Sequence, residues 1–382
     1  MTGFTPSWLV LGVIGGLVVV TGWLPAAAAR QVAVTRGAPI MGFLLAITVL
    51  AELSDRAGVF DAAATVCARA ARGSALRLYL VVAALGVLTT VAMSLDTTAV
   101  LLTPVVLTLA GKLGLRPLPF ALLAVWLANT ASMLLPISNL TNLLAAGRLG
   151  LSATGFAARM ALPEVAAVLV TVSYLTVLYR RDLTTRYQVP EHTPPGDRVT
   201  FWVCAVACVA LAPGVLLGAA PWAVALPCAA AAVAVFLVRD RAALRVGLLP
   251  WRIVIFTEGL FLLVTAVARH GGTDLLRTLI GHSALATTIT AGAASNAVNN
   301  LPAYLAVETA VPPGHDTQLF AALVGTNAGP LVLMWGSLAT LLWRERCKAH
   351  GLTVTATQFA LVGLGGVPLV LLACWATLIP TS

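Results

Sequence analysis

Apolar residues fall into long runs along the chain, at 8–24, 40–53, 76–93, 99–110, 118–135, 156–179, 201–217, 222–238, 253–268, 284–294, 319–334 and 358–378. About 20 apolar residues carry a helix across a bilayer, and the runs that fall short of this suit hairpins and broken helices. Polar clusters interrupt the pattern in pairs. Asp96-Thr97-Thr98 is followed by Ser138-Asn139-Leu140-Thr141-Asn142, and Ser295-Asn296-Ala297-Val298-Asn299-Asn300 by Ser337-Leu338-Ala339-Thr340. The first pair is 42 residues apart, counted from 96 to 138, and the second 41, from 296 to 337. Backbone that leaves the helix at mid-bilayer depth is tolerated only inside protein or along a cavity. Paired breaks in two halves therefore predict a substrate site between internal repeats.

The expected fold is an all-α polytopic membrane protein of two inverted repeats, each with a re-entrant helical hairpin and a broken transmembrane helix. Repeat one covers 1–180, with its hairpin at about 76–110 and its broken helix at about 118–147. A cytoplasmic linker at 181–198, carrying Pro190, Pro194 and Pro195, leads to repeat two at 199–382. Its hairpin is expected at about 284–310 and its broken helix at about 319–345. Residues 76–95 would descend to a tip at Asp96 and 97–110 return, so both ends of that hairpin share one side. Following the chain outward puts 17 of the 23 Lys and Arg residues on that side and leaves Arg30, Arg36, Arg148, Arg159, Arg269 and Arg277 opposite. The basic side is the cytoplasm by the positive-inside rule, which also makes the N-terminus cytoplasmic. Short amphipathic stretches at 58–73 and 271–281 lead into the hairpins. Repeat two has three helices before its hairpin and repeat one has two, so one N-terminal helix is expected to be missing. Residues 8–24 lack a preceding basic residue and read as a retained helix rather than a signal peptide.

Composition agrees with the pattern. The chain of 382 residues is 59% apolar and 10% charged, with mean hydropathy +0.96, against about 25% charged in soluble domains. A multi-pass protein of the plasma (inner) membrane is predicted, with the lipid bilayer as its first partner. The net charge of +9 needs no nucleic acid, because basic residues cluster at segment ends. The six cysteines lack metal-site spacing, and Cys204 with Cys208 on one helix face reads as small apolar packing. No cofactor or metal is expected. The histidines His192, His270, His282, His315 and His350 fall in loops or at membrane edges. Neither an H-E-x-x-H nor a G-x-x-x-x-G-K-[ST] motif occurs, which disfavours a membrane-embedded enzyme and ATP-driven pumping by this chain alone. A soluble ATPase partner would leave no motif here and stays open.

Several segments resemble the arsenite/antimonite efflux permease (ArsB) family, within the ion-transporter superfamily that also holds dicarboxylate and citrate carriers. They are Ala51-Glu52-Leu53-Ser54-Asp55-Arg56-Ala57-Gly58-Val59-Phe60, Asp96 to Pro104, Ser295 to Pro302, Gly329-Pro330 and Gly336 to Trp343. Asn327 and Leu331 stand where that family usually has Asp and Lys. The resemblance implies a scaffold domain, often dimeric, against which hairpins and broken helices move in an elevator-like cycle. It implies export of arsenite, antimonite or a related small oxyanion in exchange for protons. Proton- or sodium-coupled carriage of a dicarboxylate or another small anion is the alternative.

An acid inside a membrane costs several kcal/mol unless it is paired, hydrated or protonated. Asp96 is therefore the first candidate for proton coupling, with capping of the returning helix as its structural alternative. Glu164 and Glu258 are further coupling candidates, each equally able to pair with an Arg or a backbone donor. The hydroxyls and amides of Thr97, Thr98, Ser138, Asn139, Thr141, Asn142, Ser295, Asn296, Asn299, Asn300, Asn327, Ser337 and Thr340 are the candidate substrate ligands. They suit a neutral polyhydroxyl acid or a small oxyanion set on half-helix N-termini. About half of them are expected to do no more than satisfy broken backbone.

Overall fold

The computed structural model describes residues 7–189, 196–249, 251–271 and 274–378, and the regular structure in them is helical apart from an isolated bridge between Ser74 and Arg186. Seven of the described helices are long and apolar enough to cross a membrane. The protein is a multi-pass integral membrane protein. Pro190, His192, Pro194 and Pro195 of the expected linker lie outside the described residues, as does the side chain of Arg36. The part of that linker nearest repeat one is pinned rather than free: the Tyr187 backbone N–H donates to Gly73 O at 3.0 Å, and its hydroxyl to Ala68 O at 2.7 Å.

The helices sort into two groups by what they pack against. Ser7–Val20 lies along Trp251–Arg269, and Pro221–Arg239 bridges Ala38–Arg56 and Arg198–Leu216. The second group holds the hairpins, the broken helices and the long helices Ala153–Leu178 and Ala356–Thr377, which pair with each other. The apolar run at 40–53 extends further than the sequence pattern suggests. Its helix begins at Ala26 and passes through a π-helical stretch, Val32–Gly37, before continuing as Ala38–Arg56. The amphipathic stretches before the hairpins form the short helices Val59–Ala70 and Asp274–Ile280.

Each hairpin breaks at one residue. Ala75–Met93 and the returning Leu95–Lys112 meet at Ser94, whose φ is 141°; Ala284–Val298 and Asn300–Ala310 meet at Asn299, with φ 88°. These are the left-handed values that break a helix without a proline. The tip is therefore not at Asp96. The Ser94 hydroxyl accepts from the Thr97 N–H at 3.3 Å and caps the returning helix, so the capping role considered for Asp96 belongs to Ser94. With Ser94 equivalent to Asn299, Asp96 corresponds to Leu301. The near-equal spacing of the polar clusters is also an effect of where it was counted. Between the observed breaks the separation is 45 residues in the first half, 94 to 139, and 38 in the second, 299 to 337.

The broken helices are Pro117–Thr130 with Leu140–Leu149, and Asp316–Ala328 with Leu338–Ala349. Both runs end earlier than their apolar pattern, at Thr130 and Ala328, because polar backbone contacts take over. The halves cross: Pro117–Thr130 packs on Leu338–Ala349, and Leu140–Leu149 on Asp316–Ala328. Trp343, fully buried, donates its indole N–H to Ala121 O at 2.8 Å across the first crossing. The second hairpin approaches its broken helix backbone to backbone, where a Cβ on Gly329 or Gly325 would strike the main chain at Gly292 or Thr288. That close approach is the van der Waals contact on which helices associate in lipid.

Candidate functional site

Four helix N-termini converge on one small cavity. Ser94, Asn139, Asn299 and Ser337 are the residues before Leu95, Leu140, Asn300 and Leu338, and all four of those first helical residues line a cavity of about 30 Å3. Asp96, Asn139, Asn299, Leu301, Phe256 and Thr257 complete it. Room of this size holds a water or two. Helix N-termini present unpaired N–H groups and the positive end of the helix dipole, so the cavity favours oxygen-rich species without any cationic side chain in its lining. Asp96 is its one carboxylate, and Asp96 Oδ1 is buried without a hydrogen-bond partner among the described residues.

Asp96 also lines a second, larger cavity of about 390 Å3, together with Ser94, Thr97, Glu52, Arg252 and Arg346. Its far wall is the Ala38–Arg56 helix, from Leu44 to Glu52, and its mouth carries Glu345 and Arg346 of Leu338–Ala349. Arg56 lies at this mouth, 3.8 Å from Glu52, and donates to Ala243 O at 2.7 Å. Asp96 thus lies between the small cavity and a larger one whose lining includes the basic residues Arg252 and Arg346.

The remaining candidate ligands hold the broken backbone in place. Asn327 is the centre of a buried knot: its carbonyl oxygen accepts from Asn139 Nδ2 at 2.7 Å and from the Thr141 hydroxyl at 3.1 Å, and its amide donates to Asn142 Oδ1 at 3.0 Å. Asn142 donates in turn to Ser132 O and Leu135 O. Ser138 donates to Val91 O, tying the first break to the first hairpin. Thr97 and Thr98 join a hydroxyl network with Ser94, Thr89 and Thr90. In the second half Asn296 donates to Gly292 O and Gly329 O and accepts from the Leu333 N–H, while Asn299 donates to Trp335 O. Ser295 bonds its own helix at Ala291 O. Ser337 caps Leu338–Ala349 through Thr340 N and meets the Thr340 hydroxyl at 2.8 Å.

Neither of the other two candidate acids lines the small cavity. Glu164 accepts the Met133 N–H at 2.9 Å, with the Leu134 N–H as a second donor, and so holds the first break from Ala153–Leu178. The Glu258 carboxylate lies against Gly37 in the π-helical stretch. Phe256, Thr257 and Leu338 line the small cavity and Ser94 the larger one, and all four escaped the sequence reading. Ser94 was findable, since a Ser at the start of an apolar run is a capping signal; the other three carry no such signal.

A family model described as a citrate transporter matches residues 4–336. Arsenical pump membrane proteins are similar along most of their length: one from Escherichia coli is 29% identical over 350 residues, covering 84% of this chain and 81% of its own. One from Yersinia enterocolitica is 28% identical with the same coverage. Among solved structures, the YdaH transporter of Alcanivorax borkumensis superposes with a TM-score of 0.57 over 97% of this chain and 96% of its own, at 15% identity, a likeness of fold. The resemblance to the arsenite permeases read from the motifs is thus borne out. With the family match running through both hairpins, the first break and the first half of the second broken helix, the chain belongs to the citrate transporter family of membrane transport proteins.

Proposed function

We propose that this chain is a secondary active transporter of the inner membrane that exports arsenite, antimonite or a related small acid in exchange for protons. The observation that carries the reading is the cavity: four helix N-termini, amide groups of Asn139, Asn299 and Asn300, one carboxylate and no cationic side chain. Arsenous acid is neutral near pH 7 and offers hydroxyls, which amides and N–H groups can bind. A citrate trianion would need counter-charge, and the lining lacks it. The arsenical pump relatives support the same substrate class.

Asp96, between the two cavities, is the proposed proton carrier. The hairpins and broken helices would move as a body against Ala38–Arg56 and its neighbours, in an elevator-like cycle with the two halves as inverted repeats at 1–180 and 199–382. The N-terminus is placed in the cytoplasm, and a homodimer built on the long helices and association with a soluble ATPase are compatible additions. Uptake into inverted vesicles under an imposed proton gradient, comparing arsenite, antimonite, citrate and a dicarboxylate, tests the whole reading. Arsenite and antimonite should accumulate with the gradient. Accumulation of citrate or the dicarboxylate alone would replace the substrate assignment, and sodium dependence without proton dependence would replace the coupling.

A further inference from the structure

A threonine hydroxyl inside an apolar helix ordinarily returns to the carbonyl one turn back. Thr48 bonds Leu44 O at 2.7 Å in this way, Thr130 bonds Trp126 O at 2.9 Å, and Thr265 bonds Phe261 O at 2.7 Å. Thr257, on the same helix as Thr265, does not: it is fully buried, and its Oγ1 has no hydrogen-bond partner among the described residues. The hydroxyls of Thr103 and Thr176 share that condition, but neither residue lines either cavity, whereas Thr257 lines the small one. A buried polar group without a partner is costly, and each one calls for a reason. The other such oxygen in that lining is Asp96 Oδ1. The two oxygens come from different groups of helices. Asp96 belongs to the first hairpin, whereas Thr257 is fixed to the group that holds Ser7–Val20 and Ala38–Arg56. Two residues on, a Cβ at Gly259 would strike the main chain of Ser7–Val20 at Leu11, and the intervening Glu258 lies against Gly37.

We propose that Thr257 is a substrate ligand, so that the bound acid is held by both groups of helices at once. The inference rests on the small cavity being the transport site. Helix N-termini offer only N–H donors, and the amide nitrogens of Asn139 and Asn299 are committed to Asn327 Oδ1 and Trp335 O. A hydroxyl-bearing acid brings protons of its own, and these need acceptors. Asp96 Oδ1 and Thr257 Oγ1 are the fully buried oxygens of the lining left to take them. A threonine hydroxyl also donates, so Thr257 serves a protonated or a deprotonated oxygen of the same acid, which a carboxylate does not. In the proposed cycle the hairpins move and Thr257 stays with its own group, so its bond to the substrate exists in the bound state and is given up when the body moves. Losing such a contact weakens binding without slowing the movement.

The test measures uptake into inverted vesicles of whichever of arsenite, antimonite, citrate and a dicarboxylate the wild type accumulates, together with thermal unfolding of the purified chain without substrate. Thr257→Val keeps the shape of the side chain and removes the hydroxyl. It should raise KM about twofold to tenfold, the range set by losing one neutral hydrogen bond, with the maximal rate unchanged or higher, and it should melt no lower than wild type. Thr257→Ser should restore most of the affinity. Thr265→Val removes a hydroxyl already bonded within its own helix and should leave KM at the wild-type value. An unchanged KM in Thr257→Val, or a raised one that Thr257→Ser does not recover, overturns the inference. So does a lowered melting temperature or a failure of Thr257→Val to fold, because the hydroxyl would then serve the fold. All of these outcomes leave the transport reading standing. Accumulation of none of the four species by the wild type would overturn that reading and this inference with it.

Discussion

Asn139 and Asn300 look alike in sequence, yet they do different work. Asn139 caps Leu140–Leu149 through the Thr141 N–H and holds Asn327, whereas the Asn300 side chain is buried at the cavity and makes no hydrogen bond among the described residues. Asn300→Ala should therefore cut arsenite transport at least several-fold while leaving the thermal unfolding of the purified protein unchanged. Asn139→Ala should lower stability as well, by roughly 0.5–2 kcal/mol for the lost cap. Equal melting of the two variants would show that Asn139 is not structural. Asp96→Asn keeps size and cannot titrate, and since Ser94 is the cap, it should fold normally. Net export driven by a pH gradient should stop while substrate exchange without a gradient persists; uphill export with unchanged pH dependence would remove Asp96 from the coupling. Polar residues inside apolar runs are costly enough to announce a site. What they do not announce is whether an amide faces the substrate or a carbonyl, because that depends on a break placed by one φ angle.

At the scale of elements, the two breaks are held by different means. A carboxylate from a neighbouring helix, Glu164, holds the first break, and a hairpin amide, Asn296, holds the second. Removing the Glu164 acceptor leaves buried N–H groups unpaired, at about 1–3 kcal/mol. Glu164→Ala should melt several degrees lower than wild type, whereas Glu164→Gln, which keeps an acceptor oxygen, should lose little and retain proton-driven export. A helix outside these breaks gives a pH prediction. Asp197 caps Arg198–Leu216, and hydrogen bonds from the Thr200 hydroxyl and the Val199 N–H, with Arg239 at 3.9 Å, hold its carboxyl below the usual range. A depressed folded-state value means this contribution is complete above the ordinary carboxylate range and is lost as pH falls through the lowered one. Asp197→Asn, which cannot titrate, should flatten the acid side of the melting-temperature profile.

For the whole molecule, the apolar runs made the helical, membrane-spanning architecture legible. The packing partners were not: that Pro117–Thr130 lies on Leu338–Ala349 is a long-range fact with no local signature. The proposed inverted arrangement makes a topological prediction. Single cysteines at Arg186 and at Lys348, in a cysteine-free background, should react with a membrane-impermeant maleimide only from the cytoplasm, and one at His315 only from outside; reaction of His315 and Lys348 from one face would refute it. The position of Asp96 sets an energetic ceiling on the proposed cycle. One titratable carboxylate carries one proton per turnover, and a neutral acid leaving against it makes the exchange electrogenic, so the membrane potential contributes about 2.3 kcal/mol for every 100 mV. At about 1.4 kcal/mol per decade, such a membrane sustains a roughly 40-fold outward gradient of substrate before any pH difference is added. A cell relying on this chain alone could thus lower its internal burden no further than its voltage allows, however much transporter it makes.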